Sequence, residues 1–272
     1  MARTEGVALG DVTRTGATSG TKGTSAARGR GLAWAVLATA VLQVLAPVVP
    51  ALGAGASPGE GAGAELLITP VGWAFSIWGV IYTLAIVQAV SALVSKDARV
   101  SRRFQVDQVA LYLAGTLWIF MAALESSTLT FLALALMFAA AVDGVLTLAR
   151  AAVEPRWFGV LTRAAFGLYA GWVTAAFFLN LSTALVGWGV VEADQVAWQL
   201  IVVAVATGTL VGLLLTTRLP AYALAGLWAL FGIVVTGLQD GTDSVVVAGT
   251  VAAVALVAAA AVALRGGPTT AR

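Results

Sequence analysis

All fifteen Lys and Arg residues of this 272-residue chain lie in its terminal stretches or in alternate gaps between long apolar runs. Read with an inside N-terminus and eight crossings, the inside segments hold five, four, three, one and two of them in chain order. The outside connections hold none, and carry Glu60, Glu65, Glu125, Glu192, Asp194, Asp240 and Asp243 instead. Basic residues on one side of a bilayer set the orientation of the spans between them, so the sorting predicts both the number of helices and an N-in, C-in topology. Apolar runs of about 20 residues match the thickness of the hydrocarbon core. They do not alternate with period two, which favours helices over a barrel. Sixty per cent of the residues are hydrophobic and mean hydropathy is +0.95. An aqueous fold of this length cannot hide that much apolar surface. The expected class is therefore all-α, a polytopic membrane bundle of about eight helices.

Residues 1–30 are polar and rich in Gly, Thr, Ser and Ala, and read as a disordered cytoplasmic tail. A first apolar run follows from Gly31 to Leu52, and its end also suits a signal-peptide cleavage region. The second run extends from Thr69 to Val94. Residues 95–108 read as a basic loop, and further helices are expected over about 109–124, 128–149, 164–188, 196–217, 221–238 and 244–264. Residues 265–272 form a second cytoplasmic tail.

The chain has no Cys and no His. Disulfides, thiolate or imidazole metal sites and His-based acid–base chemistry are excluded. No Lys lies inside an apolar run, so a retinal Schiff base is excluded, and neither a P-loop nor a Gly-x-Ser-x-Gly elbow occurs. The expectation is a protein that is not an enzyme, needs no obligatory cofactor and does not bind nucleic acid.

What remains is aromatic. Phe75, Trp78 and Tyr82 recur at i, i+3, i+7, which stacks three rings on one helix face, with Trp73 just before them. Tyr169, Trp172, Ala176 and Asn180 recur at i, i+3, i+7, i+11, and an amide in lipid needs partners, so that face should look inward. Trp118 and Trp228 also lie mid-run, and both also read as space-fillers. Trp157, Trp188 and Trp198 fall where interface anchors belong. Gly208 and Gly212 form a GxxxG, a spacing that brings helices together. Asp143 is the acidic residue furthest inside an expected span. It reads either as a carboxyl at the inner interface or as a proton-coupling site.

At the second and fifth runs the sequence resembles the tryptophan-rich sensory protein family, TspO/MBR, which includes the mitochondrial translocator protein once called the peripheral benzodiazepine receptor. Thr69, Pro70, Trp73, Phe75, Trp78 and Tyr82 stand where that family has its loop and second-helix motif. Tyr169, Trp172, Ala176 and Asn180 match its fifth-helix motif, with Leu168 in the place of a Pro. Trp118 resembles its third-helix Trp, with Gly115 where an Asn is usual. The resemblance implies a five-helix unit over residues 31–188, followed by three additional helices over 189–264. It further implies a pocket for a planar hydrophobic ligand, a porphyrin or similar molecule, contacted by Trp73, Phe75, Trp78, Tyr82, Trp118, Tyr169, Trp172 and Asn180. A sensor or transport-accessory role, a homodimer and a multi-pass location in a bacterial inner membrane belong to the same expectation. Two alternatives stand beside it: a proton-coupled small-solute transporter that uses Asp143, and a non-catalytic partner of another membrane protein.

Overall fold

Short capping devices set the helix starts. The Ser101 hydroxyl accepts from the Phe104 backbone N–H at 3.2 Å, and the Ser126 hydroxyl accepts from that of Leu129 at 3.3 Å. Each satisfies one of the donors that a first helical turn leaves without a partner. Pro155 and Pro220 begin two further helices, where the missing N–H costs nothing. The computed structural model describes residues 20–52 and 65–265. Eight long helices are found there: α1 (Gly20–Leu45), α2 (Ile77–Val94), α3 (Arg102–Ala123), α4 (Ser127–Arg150), α5 (Arg156–Gly187), α6 (Val196–Thr217), α7 (Pro220–Gln239) and α8 (Asp243–Arg265). A helical turn, Val48–Ala51, follows α1, and a 3₁₀ turn, Gly72–Ser76, leads into α2. The described residues contain no strand, only an isolated antiparallel bridge between Arg99 and Glu154 that ties two inner loops together.

The all-helical reading holds, with five adjustments, one being that α5 begins at Arg156 and not near residue 164. Seven helices are long and apolar enough to cross a membrane, α2 being counted with its 3₁₀ turn. In α1 the apolar part, Arg30–Leu45, is shorter, although Ala33, Val36 and Ala40 on it are buried in the bundle. Helix α1 also begins at Gly20, so the last part of the expected disordered tail is helical; residues 1–19, 53–64 and 266–272 lie outside the described residues. Most consequentially, α3 begins at Arg102 and not near residue 109. Gln105, Asp107 and Gln108 looked like loop because they are polar, yet all three are buried on the helix. Of the three, Gln108 is hydrogen-bonded to Gln88 and Tyr112.

Five helices close a ring. Helix α1 packs on α2 and α3, α3 on α4, α4 on α5, and α5 on α2. Extensive backbone packing between α2 and α3 is absent, so side chains fill the middle. The last three helices join through α7, which lies along α5; α8 packs on α7 and α6. Small residues allow the α5–α7 approach. Gly167 and Gly171 on α5 face Ala221, Tyr222 and Ala225 on α7, and a Cβ on Gly171 would overlap the Tyr222 carbonyl oxygen. The GxxxG of Gly208 and Gly212 plays no such part: nothing lies within 4 Å of where either Cβ would be. Helix contact here runs through small residues, as is usual in lipid, but at a different pair.

Candidate functional site

The segment before α2 is held by α6 and α7. The Ile68 N–H donates to the Gln199 Oε1 at 3.3 Å, the Val71 N–H to the Gly232 carbonyl at 3.2 Å, the Thr236 hydroxyl to the Thr69 carbonyl at 2.8 Å and the Trp228 indole to the Ala74 carbonyl at 2.8 Å. A segment with few backbone bonds of its own thus draws partners from α6 and α7. Trp228, left open as a space-filler, acts here as a clamp.

From that anchor the chain winds into α2 and presents Trp78 to the centre of the ring. Its ring centroid lies 5.3 Å from Tyr82 and 5.8 Å from Trp118, each tilted by 31°. Tyr169 at 5.7 Å and Trp172 at 6.3 Å stand nearly perpendicular to it. Phe75 meets Trp172 edge-on at 5.7 Å. The Trp118 indole donates to the Asn180 Oδ1 at 3.1 Å, and the Asn180 amide N–H donates to the Ala176 carbonyl at 3.1 Å. Phe75, Trp78, Tyr82, Trp118, Tyr169, Trp172 and Asn180 therefore form one assembly drawn from α2, α3 and α5 and the turn before α2. Trp73 does not join it. It packs on Trp228 at 5.4 Å and Phe231 at 5.7 Å, and is 44% exposed. Trp73 stands two residues before Phe75, about 200° round a helix, and so faces away from the stripe.

Below the rings runs a string of buried polar groups. The Tyr169 hydroxyl donates to the Gln43 Oε1 at 2.7 Å, and Tyr169 stacks on Tyr112 at 5.7 Å. The Gln108 amide donates to the Tyr112 hydroxyl at 3.4 Å and to the Gln88 Oε1 at 2.9 Å; the Gln88 amide donates to the Thr162 hydroxyl at 3.5 Å. Sequence reading missed these residues. The available signal was Gln43 and Gln88, long amides inside apolar runs, which lipid tolerates only when they face protein.

Asp143 sits at the inner end of α4, not at mid-membrane. Arg103 donates to it twice, from Nη2 to Oδ1 at 2.6 Å and from Nε to Oδ2 at 3.2 Å. Both side chains remain substantially exposed. The buried carboxyl is Asp107, which faces Asp143 and has no hydrogen-bond partner at Oδ2. No group of three or more metal-ligating side chains occurs among the described residues.

An apolar cavity of about 580 Å³, counting its open mouth, is bounded by α5, α6, α7 and the outer segment. Phe75 and Trp172 form the wall it shares with the aromatic assembly. Trp157 and Trp188 are about half exposed near the chain's inner and outer ends of α5, as interface anchors are.

A family model described as TSPO-like protein matches residues 32–263. The chain belongs to the TSPO-like family. In this TSPO-like protein the matched span runs from α1 through α8 and crosses the expected boundary at residues 188 and 189. That agrees with the bonds by which α6 and α7 hold the segment ahead of α2. Neither a curated protein nor a solved structure matches the chain.

Proposed function

We propose that this integral membrane protein binds a planar hydrophobic ligand of the tetrapyrrole kind in the centre of its five-helix ring, as a sensor or transport accessory in a bacterial cell membrane and not as an enzyme. One observation carries the reading: α2 and α3 are bridged by rings instead of backbone packing. Trp118 and Tyr82 lie 31° from parallel with Trp78, while Tyr169 and Trp172 stand at 87° and 89° to it. That is a stack with edge-on walls. A planar π-system entering between Trp78 and Trp118 exchanges one ring contact for two, and such contacts contribute about 0.5–1.5 kcal/mol each beyond area burial. Asn180 supplies an amide at the rim, next to Trp118.

The test is tryptophan-fluorescence quenching of the full chain by protoporphyrin IX. Saturable quenching is expected at micromolar ligand or below, weakened in Trp118→Ala and in Trp172→Ala. Trp157→Ala should bind as the wild type does, because Trp157 lies against Phe158 at the far end of α5. Equal loss in all three variants, or in none, refutes a pocket among these rings.

Asp107 favours a second reading, proton-coupled transport. A buried carboxyl with an unpartnered oxygen beside the water-reached Asp143 has the two features of a proton-loading site. Reconstituted vesicles carrying a pH-sensitive dye test it. Acidification that needs both Asp107 and Asp143 supports this reading, and flux unchanged in Asp107→Asn refutes it.

A further inference from the structure

We propose that the connections over residues 95–101 and 151–155 form one docking ridge for anionic phospholipid headgroups of the adjoining leaflet, with Arg99, Arg102 and Arg156 as its cations. The first observation is the link between them. The Arg99 N–H donates to the Glu154 carbonyl at 2.8 Å and the Glu154 N–H to the Arg99 carbonyl at 3.3 Å. The connection between α2 and α3 is thereby fastened to the one between α4 and α5. The Arg163 guanidinium ties α5 to the same place, donating from Nη2 to the Ala151 carbonyl at 3.2 Å. Helices α3 and α5 start just beyond the fastened pair, at Arg102 and Arg156. Two stretches far apart in sequence thus present their basic residues together.

The second observation is the charge. Of the eight Lys and Arg residues between positions 95 and 220, seven lie on or beside this ridge, and Arg218 alone lies in the connection between α6 and α7. Orienting a chain in a bilayer needs cations on one side; it does not need them gathered in one half of that side. Arg103 is neutralised by Asp143. Arg99, Arg102 and Arg156 are exposed and have no ion-pair partner among the described residues. The exposed acids nearby are Asp97 and Glu154, which leaves the cations in excess. The third observation is the depth. Trp157 directly follows Arg156, is 53% exposed and packs edge-on against Phe158 at 5.6 Å. An exposed Trp at a helix end belongs to the headgroup layer, so its neighbour Arg156 meets lipid phosphates there. A guanidinium matches phosphate oxygens with paired N–H donors. An anionic headgroup leaves that attraction intact, whereas a zwitterionic one brings a cation of its own.

The probes are phosphatidylglycerol and phosphatidylcholine with the same acyl chains. The full chain, purified in detergent, is incubated with an equimolar mixture, and native mass spectrometry counts the lipids bound. The wild type is expected to prefer phosphatidylglycerol roughly 5- to 30-fold, the range that one or two cations supply at an anionic surface. The preference should weaken as salt is added. In Arg102→Gln/Arg156→Gln the two lipids should bind almost equally. Arg102→Lys/Arg156→Lys keeps the charge and should keep most of the preference, which separates a lost charge from a lost fold. Arg30→Gln/Arg265→Gln removes the same charge from α1 and α8 and should bind as the wild type does. Millimolar glycerol phosphate, a soluble anion with the same phosphate chemistry, should displace no phosphatidylglycerol. Equal loss in the two Gln pairs traces the preference to net charge alone, and displacement by glycerol phosphate assigns the cations to a soluble ligand. Either result, or equal binding of the two lipids by the wild type, overturns the proposal.

Discussion

Helices α5 and α6 each carry a Gly-xxx-Gly pair, alike in sequence, and replacing one Gly in each by Ala should have opposite effects. On α5, an added Cβ at Gly171 overlaps the Tyr222 carbonyl oxygen and stands 2.9 Å from the Ala225 Cβ, where ordinary contact starts at 3.4 Å. The obstacle is backbone, so rotamer changes cannot relieve it and the two helices must part locally. Overpacking of this kind costs about 1–3 kcal/mol. Ala gains about 0.8–1.0 kcal/mol over Gly in helix propensity, which offsets part of that. The net expectation for Gly171→Ala is a loss of about 1–2 kcal/mol, or a fall of roughly 2–8 °C in melting temperature at this chain length. On α6, Gly212→Ala meets nothing within 4 Å. Only the propensity gain remains, and stability should be unchanged or raised by up to about 1 kcal/mol. Thermal unfolding of both variants in one detergent, followed by circular dichroism, decides the matter. A destabilised Gly212→Ala beside a neutral Gly171→Ala would refute the α5–α7 interface.

Three further outcomes follow from single bonds. Tyr169→Phe leaves the buried Gln43, whose Nε2 already lacks a partner, with neither end bonded, and should cost about 1–3 kcal/mol in thermal unfolding. Trp228→Phe removes the indole bond to the Ala74 carbonyl, a net loss of about 0.5–1.5 kcal/mol; it should appear as faster amide exchange over residues 66–76, with α3 and α4 unchanged. Asp143→Asn breaks an ion pair whose side chains are both water-exposed, so the melting temperature should barely move, whereas burial of Asp107 makes Asp107→Leu the more consequential change in the same assay.

Reading the candidate site from sequence succeeded where helical spacing alone decides position. Tyr169, Trp172 and Asn180 share a face because an α-helix advances about 100° per residue, and they meet Trp78 and Trp118 as one assembly. Trp73 lies apart because it stands two residues before Phe75 and so faces the other way, onto Trp228. Reading failed at Asp107 and Gln108, because polarity marks a loop and a buried hydrogen-bonded helix face equally well. The polar string from Gln43 to Thr162 joins four helices, and no local pattern records which amide will meet which hydroxyl.

The sequence by itself determined the class and most of the helix positions, because each rests on a property that sums along the chain. Hydrocarbon thickness fixes the length of a run. Tertiary structure decided what α6 and α7 do: through Gln199, Trp228, Gly232 and Thr236 they hold the segment that delivers Trp78. It also decided where a chamber opens, with Phe75 and Trp172 as the wall it shares with the aromatic assembly. A void is a difference between the shapes of packed side chains from separate helices. Each of those shapes is written in the sequence; the difference exists only once they meet.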